Sequence, residues 1–172
     1  EKGGKSMLKK IQPEGLSQNV FSMIGKQWML ICAEKNGTAN AMTASWGGMG
    51  VIWNKQTVTV YIRPQRYTKE FIDDADTFSI MVFPEAYRKQ LTYMGTVSGR
   101  DEDKIKQCDF HTEHIDETPY FKEASLVITC KKLYAQKMLP ECFIDKETDK
   151  KNYPLKDYHE LYIGEIIGIY EE

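Results

Sequence analysis

The dipeptide Asn36–Gly37 is the feature that most constrains the fold of this chain. A compact apolar run, Trp28–Glu34, precedes it, and a segment of small and hydroxyl-bearing residues, Thr38–Thr43, follows it. Asn-Gly between two such segments is typical of a tight hairpin turn, because that turn needs residues that tolerate positive φ. The sequence therefore predicts two antiparallel strands that present the residues after Thr43 at their far end.

Further strand patterns dominate both ends of the chain, and helical patterns interrupt its middle. Predicted strands cover Gly50–Trp53, Thr57–Ile62, Thr77–Phe83, Ala124–Met138 and Tyr158–Tyr170. Predicted helices cover Tyr67–Ala75, Pro84–Met94 and Asp101–Gln107, whereas Cys108–Tyr120 is expected to be irregular and Pro140–Lys156 to be a polar insertion. This order lacks the strand–helix alternation of a parallel doubly wound sheet. We expect a mainly β fold, a small antiparallel barrel with short helical excursions.

The composition excludes several classes of function. The chain has 172 residues, of which 41% are hydrophobic, which suits one domain with a sizeable core. Its 23 basic and 25 acidic residues give a net charge of −2, which argues against a protein that holds nucleic acid by its phosphates. No apolar run approaches the roughly 18 residues of a membrane span, and no signal-peptide core follows Glu1–Met7. We therefore expect a cytoplasmic protein.

The cysteines fit that compartment. The four are widely spaced and form no C-x-x-C pair; they are Cys32, Cys108, Cys130 and Cys142. Cys32 and Cys130 fall in predicted strands, so we expect buried reduced thiols. The series Cys108, His111 and His114 superficially resembles a metal site, but its spacing matches no common zinc pattern. We expect no metal.

The segment Asn40–Met49 surrounds a single tryptophan with small residues. Trp46 offers a ring face or edge, and Thr43 and Ser45 can form hydrogen bonds. Ala44 and the glycines after Trp46 remove bulk, so that backbone amides can approach a planar ligand. An ordinary glycine-rich turn between strands is the plainer alternative.

The segment Arg63–Thr68 follows one strand later and offers groups that bind a phosphate ester. Arg63, Arg66 and Thr68 place two guanidinium groups and a hydroxyl at the start of a predicted helix. A solvated, positively charged strand end is the alternative. A binding site for a planar ring at Asn40–Met49, followed by one for a phosphate at Arg63–Thr68, suits a nucleotide-type cofactor. The sequence has no dinucleotide-binding fingerprint, which favours FMN.

Two further pieces of sequence offer candidate donors. Ser98 and Lys104 lie in the segment Gly95–Lys104 and could add donors to the same phosphate, although a helix–helix turn capped by Asp101 explains that segment equally well. His159 lies on the last predicted strand, where it either faces a ligand or lies on the strand surface.

Four ordered motifs together resemble the flavin reductase-like, FMN-binding split-barrel family, most closely its flavoredoxin branch. They are Asn40-Ala-Met-Thr-Ala-Ser-Trp46, Arg63-Pro-Gln-Arg-Tyr-Thr68, Gly95-Thr-Val-Ser-Gly-Arg-Asp-x-Asp-Lys104 and His159-x-Leu-Tyr-Ile-Gly-Glu. The resemblance covers about 28–169 of a single flavin reductase-like domain spanning 1–172. It implies a six-stranded antiparallel Greek-key split β-barrel that works as a homodimer, with FMN at the barrel edge near the dimer interface.

The resemblance also implies roles for individual residues. The isoalloxazine ring would meet Asn40, Thr43, Ala44, Ser45 and Trp46. The phosphate segment would comprise Arg63, Arg66, Tyr67 and Thr68, with Ser98 and Lys104 closing over it. His159 matches a histidine often found near the flavin. The chain departs from the family pattern in the polar insertion Pro140–Lys156, which is expected to reshape the mouth of the site.

The resemblance implies an oxidoreductase that passes a hydride from NADH or NADPH to FMN and electrons onward, and it also admits FAD. In that reading the cofactor carries the chemistry and no side chain need act as acid or base. The alternative is a non-catalytic flavin-binding electron carrier with no NAD(P)H reaction of its own. A third reading is another ligand, such as haem, on the same barrel.

Overall fold

The computed structural model of the protein describes residues 7–172, so the predicted lack of a signal sequence at Glu1–Met7 falls almost wholly outside the described residues. The strands are β1 Lys9–Ile11, β2 Met29–Lys35, β3 Thr38–Ala44, β4 Gly47–Ile52, β5 Lys55–Ile62, β6 Thr77–Val82, β7 Thr112–Ile115, β8 Thr118–Phe121, β9 Leu126–Lys137 and β10 Glu160–Glu171. The helices are α1 Val20–Ser22, which continues as a π-helical turn over Met23–Gln27, α2 Thr68–Asp74, α3 Arg88–Thr96, α4 Lys104–Gln107 and α5 Lys146–Asn152. Within 7–172 no helix has the length and apolar character to cross a membrane.

Eight of the strands form one antiparallel sheet. Its order is β3-β2-β6-β9-β10-β5-β4, and β1 pairs with β10. The outer strands β3 and β4 lie at opposite ends of this order, yet only Ser45 and Trp46 separate them in the chain. The sheet therefore curls until its two ends meet at that corner. This is the antiparallel split barrel that the sequence predicted, with eight strands in the sheet where six were expected.

The core divides into two clusters because side chains alternate across each strand. Ile31 on β2 points into the barrel, whereas its neighbour Leu30 points to the opposite face, beneath α3. The barrel cluster also holds Val60, Phe78, Ile80, Ile128 and Tyr162, all 2% exposed or less. Burying each large apolar side chain contributes roughly 1.5–3 kcal/mol, so the barrel is a rigid frame for its corner.

The prediction that Cys108–Tyr120 is irregular was wrong. Two strands, β7 and β8, form an antiparallel hairpin within 112–121. Asp116 and Glu117 make its two-residue turn with φ of 50° and 58°, the left-handed conformation that such a turn requires. Neither is glycine or asparagine, so the turn carries no strong sequence signal.

The cysteines and histidines are the residues at which the sequence raised the question of thiol and metal chemistry. All four cysteines are free; Cys142 is exposed and the other three are buried. Burial raises the pKa of Cys32 and Cys130, so these thiols remain protonated and inert. His111 and His114 lie on the surface beside glutamates, and no group of three or more potential metal ligands occurs within 7–172.

The segment between β9 and β10 folds as a small cap. It contains a 3₁₀ turn at Pro140–Cys142 and the helix α5, whose first turn is capped by the Asp145 carboxylate, which accepts a hydrogen bond from the backbone of Glu147. Its end carries Tyr153, whose ring packs 4.8 Å from the ring of Tyr158. This insertion lies over the corner of the barrel, as the next section describes.

Candidate functional site

The corner between β3 and β4 forms one wall of a cavity of about 230 Å³, here named the corner pocket. The end of β5 and the start of β10 supply the other walls. The pocket brings together seven residues that the sequence singled out, Thr43, Ala44, Ser45, Trp46, Arg63, Arg66 and His159, and adds Met42 and Tyr61. Three separate sequence segments thus converge because the sheet curls until its outer strands meet.

Trp46 stands at the mouth of the corner pocket. Its ring centroid lies 5.2 Å from that of His159 with the two planes tilted by 49°. The indole is 47% exposed, so it retains an open surface on which a planar ligand can stack. The next position, Gly47, requires glycine because a Cβ there would lie 2.9 Å from both the Met29 side chain and the Thr59 carbonyl.

His159 is buried and held by the insertion. Its Nδ1 lies 2.7 Å from the hydroxyl oxygen of Tyr153, and the residue is only 7% exposed. Burial, reinforced by the charge of Arg63 and opposed by that of Asp157, lowers the pKa of His159 to about 4. The imidazole is therefore neutral at pH 7. It can use one nitrogen within the protein and offer the other to a ligand.

Arg63 lines the corner pocket but is engaged by residues at the end of the insertion. Its guanidinium forms an ion pair of 3.0 Å with Asp157 and donates to the carbonyl of Asn152 over 3.1 Å. It also lies 5.0 Å from the ring centroid of Tyr153. Its charge is thus balanced by a carboxylate, and its bonds tie the insertion to the barrel. A direct phosphate contact by Arg63 stays a prediction.

Arg66 keeps an unbalanced charge in the same pocket. One guanidinium nitrogen donates to the carbonyl of Gly95 over 2.9 Å, and no ion pair within 7–172 includes it. Burial lowers the pKa of Arg66 from its ordinary value, but a guanidinium of such high pKa stays charged. A partly buried cation with free donors and no counter-ion favours a bound anion, and a phosphate matches its fork of N–H groups.

Lys104 lies behind Arg66 rather than in the pocket wall. Its ammonium donates to the carbonyls of Met94 and Val97 over 2.9 and 3.1 Å. Burial, followed by the charge of Arg66, lowers the pKa of Lys104 to about 8. Lys104 therefore fixes the loop after α3 and adds positive potential near Arg66. Ser98 also lies in this loop, outside the pocket lining, and accepts a hydrogen bond from the Arg100 backbone.

Asn40, Tyr67 and Thr68 support the pocket from outside its lining. The Asn40 amide donates to the Thr68 hydroxyl over 2.8 Å, and both residues are buried. Gly99 packs so closely that a Cβ there would collide with the Asn40 side chain and lie 3.1 Å from the Tyr67 ring. These contacts join β3, α2 and the loop after α3. The predicted flavin contacts of these three residues remain predictions.

A second, apolar cavity of about 410 Å³ adjoins the corner pocket, and we name it the annex. The two share Ser45, Trp46 and Tyr61. Its other lining residues are Phe21, Ile24, Gly25, Gly47, Met138 and Tyr153. Apart from Gly47, the sequence analysis did not identify these lining residues as part of the site. Tyr153 could have been noticed as an aromatic residue six positions before His159, whereas no sequence pattern marks the N-terminal residues Phe21, Ile24 and Gly25.

A larger cavity of about 840 Å³ lies elsewhere, between the N-terminal segment and the start of α3. Its most basic side chain, Arg88, donates to the carbonyls of Lys26 and Gln27 and stacks 3.2 Å from the centre of the Trp28 ring. Arg88 is thus occupied by the protein itself. The corner pocket instead combines the guanidinium of Arg66, which has no carboxylate partner within 7–172, with the open ring surface of Trp46, and we therefore favour it over the larger cavity.

The corner pocket and its annex fit a flat ring system that carries an anionic tail. Ligand sites usually span about 300–1,000 Å³, and the two adjoining cavities together fall within that range. Trp46 supplies the stacking surface, Arg66 the anion donor and His159 a neutral polar edge. FMN combines these features, since it joins an isoalloxazine ring to a phosphate.

Comparison with known proteins agrees with this reading. A family model described as a flavin reductase like domain matches residues 21–172, which is most of the chain. Among curated proteins none matches the sequence. The structural comparison does find relatives of the same fold.

Three solved structures illustrate that likeness. Flavoredoxin from Methanosarcina acetivorans has a TM-score of 0.68 at 25% identity, covering 85% of this chain and 68% of that one. Flavoredoxin of Desulfovibrio vulgaris (Miyazaki F) has a TM-score of 0.65 at 22% identity, covering 94% and 77%. An FMN-binding domain of a flavin reductases-like enzyme from Shewanella baltica has a TM-score of 0.69 at 19% identity, covering 95% and 76%. The chain belongs to the flavin reductase-like family.

Proposed function

We propose that the protein binds FMN in the corner pocket and annex and acts as an NAD(P)H-dependent flavin reductase or flavoredoxin-like electron-transfer protein. One observation carries this proposal: the unbalanced Arg66 guanidinium, the half-exposed Trp46 ring and the neutral His159 imidazole line one pocket. Its cation suits the phosphate and its ring surface suits the isoalloxazine. Membership of the flavin reductase-like family supports a flavin, and the similar FMN-binding domain from Shewanella baltica supports FMN.

The chain's own residues would bind and orient the cofactor rather than react. Bound FMN would supply hydride and electron transfer between a nicotinamide and an acceptor. Trp46 and Tyr61 would cover the ring and keep water from it, and Arg66 would hold the phosphate. His159 stays neutral, so it can donate or accept one hydrogen bond at the ring without adding charge.

Binding is tested by calorimetric titration of the purified protein with FMN, FAD and riboflavin. FMN is expected to bind with one site per chain and more tightly than riboflavin. FMN affinity no greater than that of riboflavin would contradict the phosphate assignment. A Soret band in the purified protein would instead point to haem and overturn the flavin reading.

The electron-transfer role is tested by anaerobic mixing of the FMN complex with NADH or NADPH. Loss of the visible flavin absorbance within seconds supports a reductase. The structural likeness to two flavoredoxins favours keeping a second candidate, an electron carrier without its own nicotinamide reaction. Absorbance that persists with both nicotinamides, yet falls with dithionite, identifies the carrier.

We also propose that the protein works as a homodimer. The outer strand β4 leaves one edge unpaired, and its last two residues and the residue after it are exposed and apolar: Val51 is 74% exposed, Ile52 40% and Trp53 53%. An apolar strand edge of this kind favours association. Light scattering after size-exclusion chromatography is expected to give twice the chain mass of 19.9 kDa. A Val51→Lys variant is expected to elute as a monomer.

A further inference from the structure

The insertion reaches into the flavin site through one hydrogen bond. The Tyr153 hydroxyl oxygen lies 2.7 Å from Nδ1 of His159. Both residues are buried, at 6% and 7% exposure. The bond therefore forms away from bulk water, where it is difficult to replace and fixes the orientation of both groups.

The other imidazole nitrogen, Nε2 of His159, faces accessible space. Within 7–172 every fully buried side-chain nitrogen or oxygen has a hydrogen-bond partner. The ring of His159 forms a hydrogen bond only through Nδ1, so Nε2 is not fully buried. His159 lines the corner pocket and its Nδ1 is engaged by Tyr153, so Nε2 is the ring nitrogen left available to a ligand there.

The Tyr153 hydroxyl is the stronger candidate for the donor in this bond. Burial raises the pKa of Tyr153, so the phenol keeps its proton. Its other acceptor, the Met138 sulfur, lies 3.7 Å away and accepts only weakly. The groups that face the imidazole from neighbouring elements are Arg63 and Asp157, which balance each other. Donation from Tyr153 to Nδ1 leaves the single imidazole proton on Nε2.

The Tyr153 ring is itself held in place, as a positioning residue requires. It packs 4.8 Å from the ring of Tyr158 and 5.7 Å from that of Phe143, while the Arg63 guanidinium lies 5.0 Å from its centre. These three contacts restrict the movement of the ring and therefore of its hydroxyl.

We propose that Tyr153 is a positioning residue that fixes His159 in the Nε2–H tautomer, so that the imidazole donates a hydrogen bond into the corner pocket to an acceptor atom of the bound ring. The insertion would thereby determine the polarity of the site as well as its mouth. Only the identity of the ligand rests on the proposed function, because the tautomer belongs to the protein alone.

Nitrogen-15 NMR of the histidine rings at pH 7 tests the tautomer in the ligand-free protein. The chain has 3 histidines, and substitution of His159 assigns its signals. The wild type is expected to show protonated Nε2 and unprotonated Nδ1. Tyr153→Phe keeps the ring and removes only the hydroxyl, so the His159 signals should shift toward a mixture of tautomers. Protonated Nδ1 in the wild type, or unchanged signals in Tyr153→Phe, would overturn the proposal.

Tyr158→Phe is the matched control. It removes a hydroxyl from the same aromatic cluster, but that hydroxyl donates to Asp149 over 2.7 Å instead of to His159. Its His159 signals should equal those of the wild type, and loss of the tautomer in this variant too would reduce Tyr153 to general packing.

Flavin titration supplies a second measurement. Tyr153→Phe is expected to weaken FMN and riboflavin by the same factor, about three- to tenfold as for loss of a hydrogen bond at the ring, and to shift the visible flavin spectrum. Weakening of FMN alone would contradict a ring contact. If the tautomer is as predicted and no flavin binds, the proposed function fails while the role of Tyr153 stands.

Discussion

Arg66→Gln tests the assignment of the phosphate-binding site. Gln can still donate to the Gly95 carbonyl, which Arg66 contacts over 2.9 Å, but it removes the charge and the second donor. A charge-assisted hydrogen bond contributes about 1.5–3 kcal/mol, which corresponds to roughly ten- to hundredfold weaker FMN binding. Riboflavin lacks the phosphate, so its dissociation constant should change by less than about threefold. Calorimetric titration of both ligands at one ionic strength gives the two ratios.

Arg100→Gln is the control for this change in charge. Arg100 lies nearby, but its guanidinium is paired with Glu70 over 3.1 Å and donates to the Gln65 carbonyl. Its substitution should leave FMN and riboflavin binding near wild-type values. The reasoning is refuted if Arg66→Gln weakens both ligands equally, or if Arg100→Gln weakens FMN as much as Arg66→Gln does.

Three further substitutions test the supports of the pocket. Arg63→Gln breaks the ion pair with Asp157, so it should lower the free energy of unfolding by about 1 kcal/mol in urea and expose the insertion to limited proteolysis. In the wild type the pKa of His159 is about 4 in the folded state and 6.5 in the unfolded state, so the free energy of unfolding should fall by about 2–3 kcal/mol as the pH drops from 6.5 to 4. His159→Gln cannot titrate, so its free energy of unfolding, measured in urea, should depend less on pH over this range. Asn40→Ala leaves the buried Thr68 hydroxyl without its donor and should destabilise the fold by about 1–3 kcal/mol, measured the same way.

Each of these expectations has a contrary result. Proteolysis of Arg63→Gln that stays at the wild-type rate would show that the insertion is held by other contacts. An unchanged acid slope in His159→Gln would mean that His159 titrates normally. A fully stable Asn40→Ala protein would remove the support role of Asn40 and favour its direct contact with the ligand.

The sequence predicted the convergence of the pocket residues because each motif sits at the end of a recognisable strand. Asn36–Gly37 forms the turn of the first hairpin, and the predicted strand Thr57–Ile62 ends just before Arg63. The candidate ring-binding and phosphate-binding segments therefore both lie at strand ends. The predicted fold class and family were both confirmed. Local alternation and turn chemistry determine these features, and both are legible in one sequence.

The contacts between distant segments were not predictable in this way. Arg63 is paired with Asp157, 94 positions later, and no local pattern distinguishes that pairing from a free phosphate donor. Asn40 similarly binds Thr68 across 28 positions instead of lining the pocket. The hairpin β7–β8 was missed because Glu117, the second residue of its turn, takes a left-handed conformation that sequence rules assign to glycine, asparagine or aspartate.

A crystal structure of the protein grown with FMN would show directly whether the corner pocket binds the flavin. We expect the isoalloxazine ring against Trp46 and the Thr43–Ser45 backbone, the phosphate within hydrogen-bonding distance of Arg66, and Nε2 of His159 donating to a ring acceptor. Arg63 should remain paired with Asp157. FMN bound in the larger cavity beside Arg88, or a phosphate held without Arg66, would show that the corner pocket is not the flavin site proposed above.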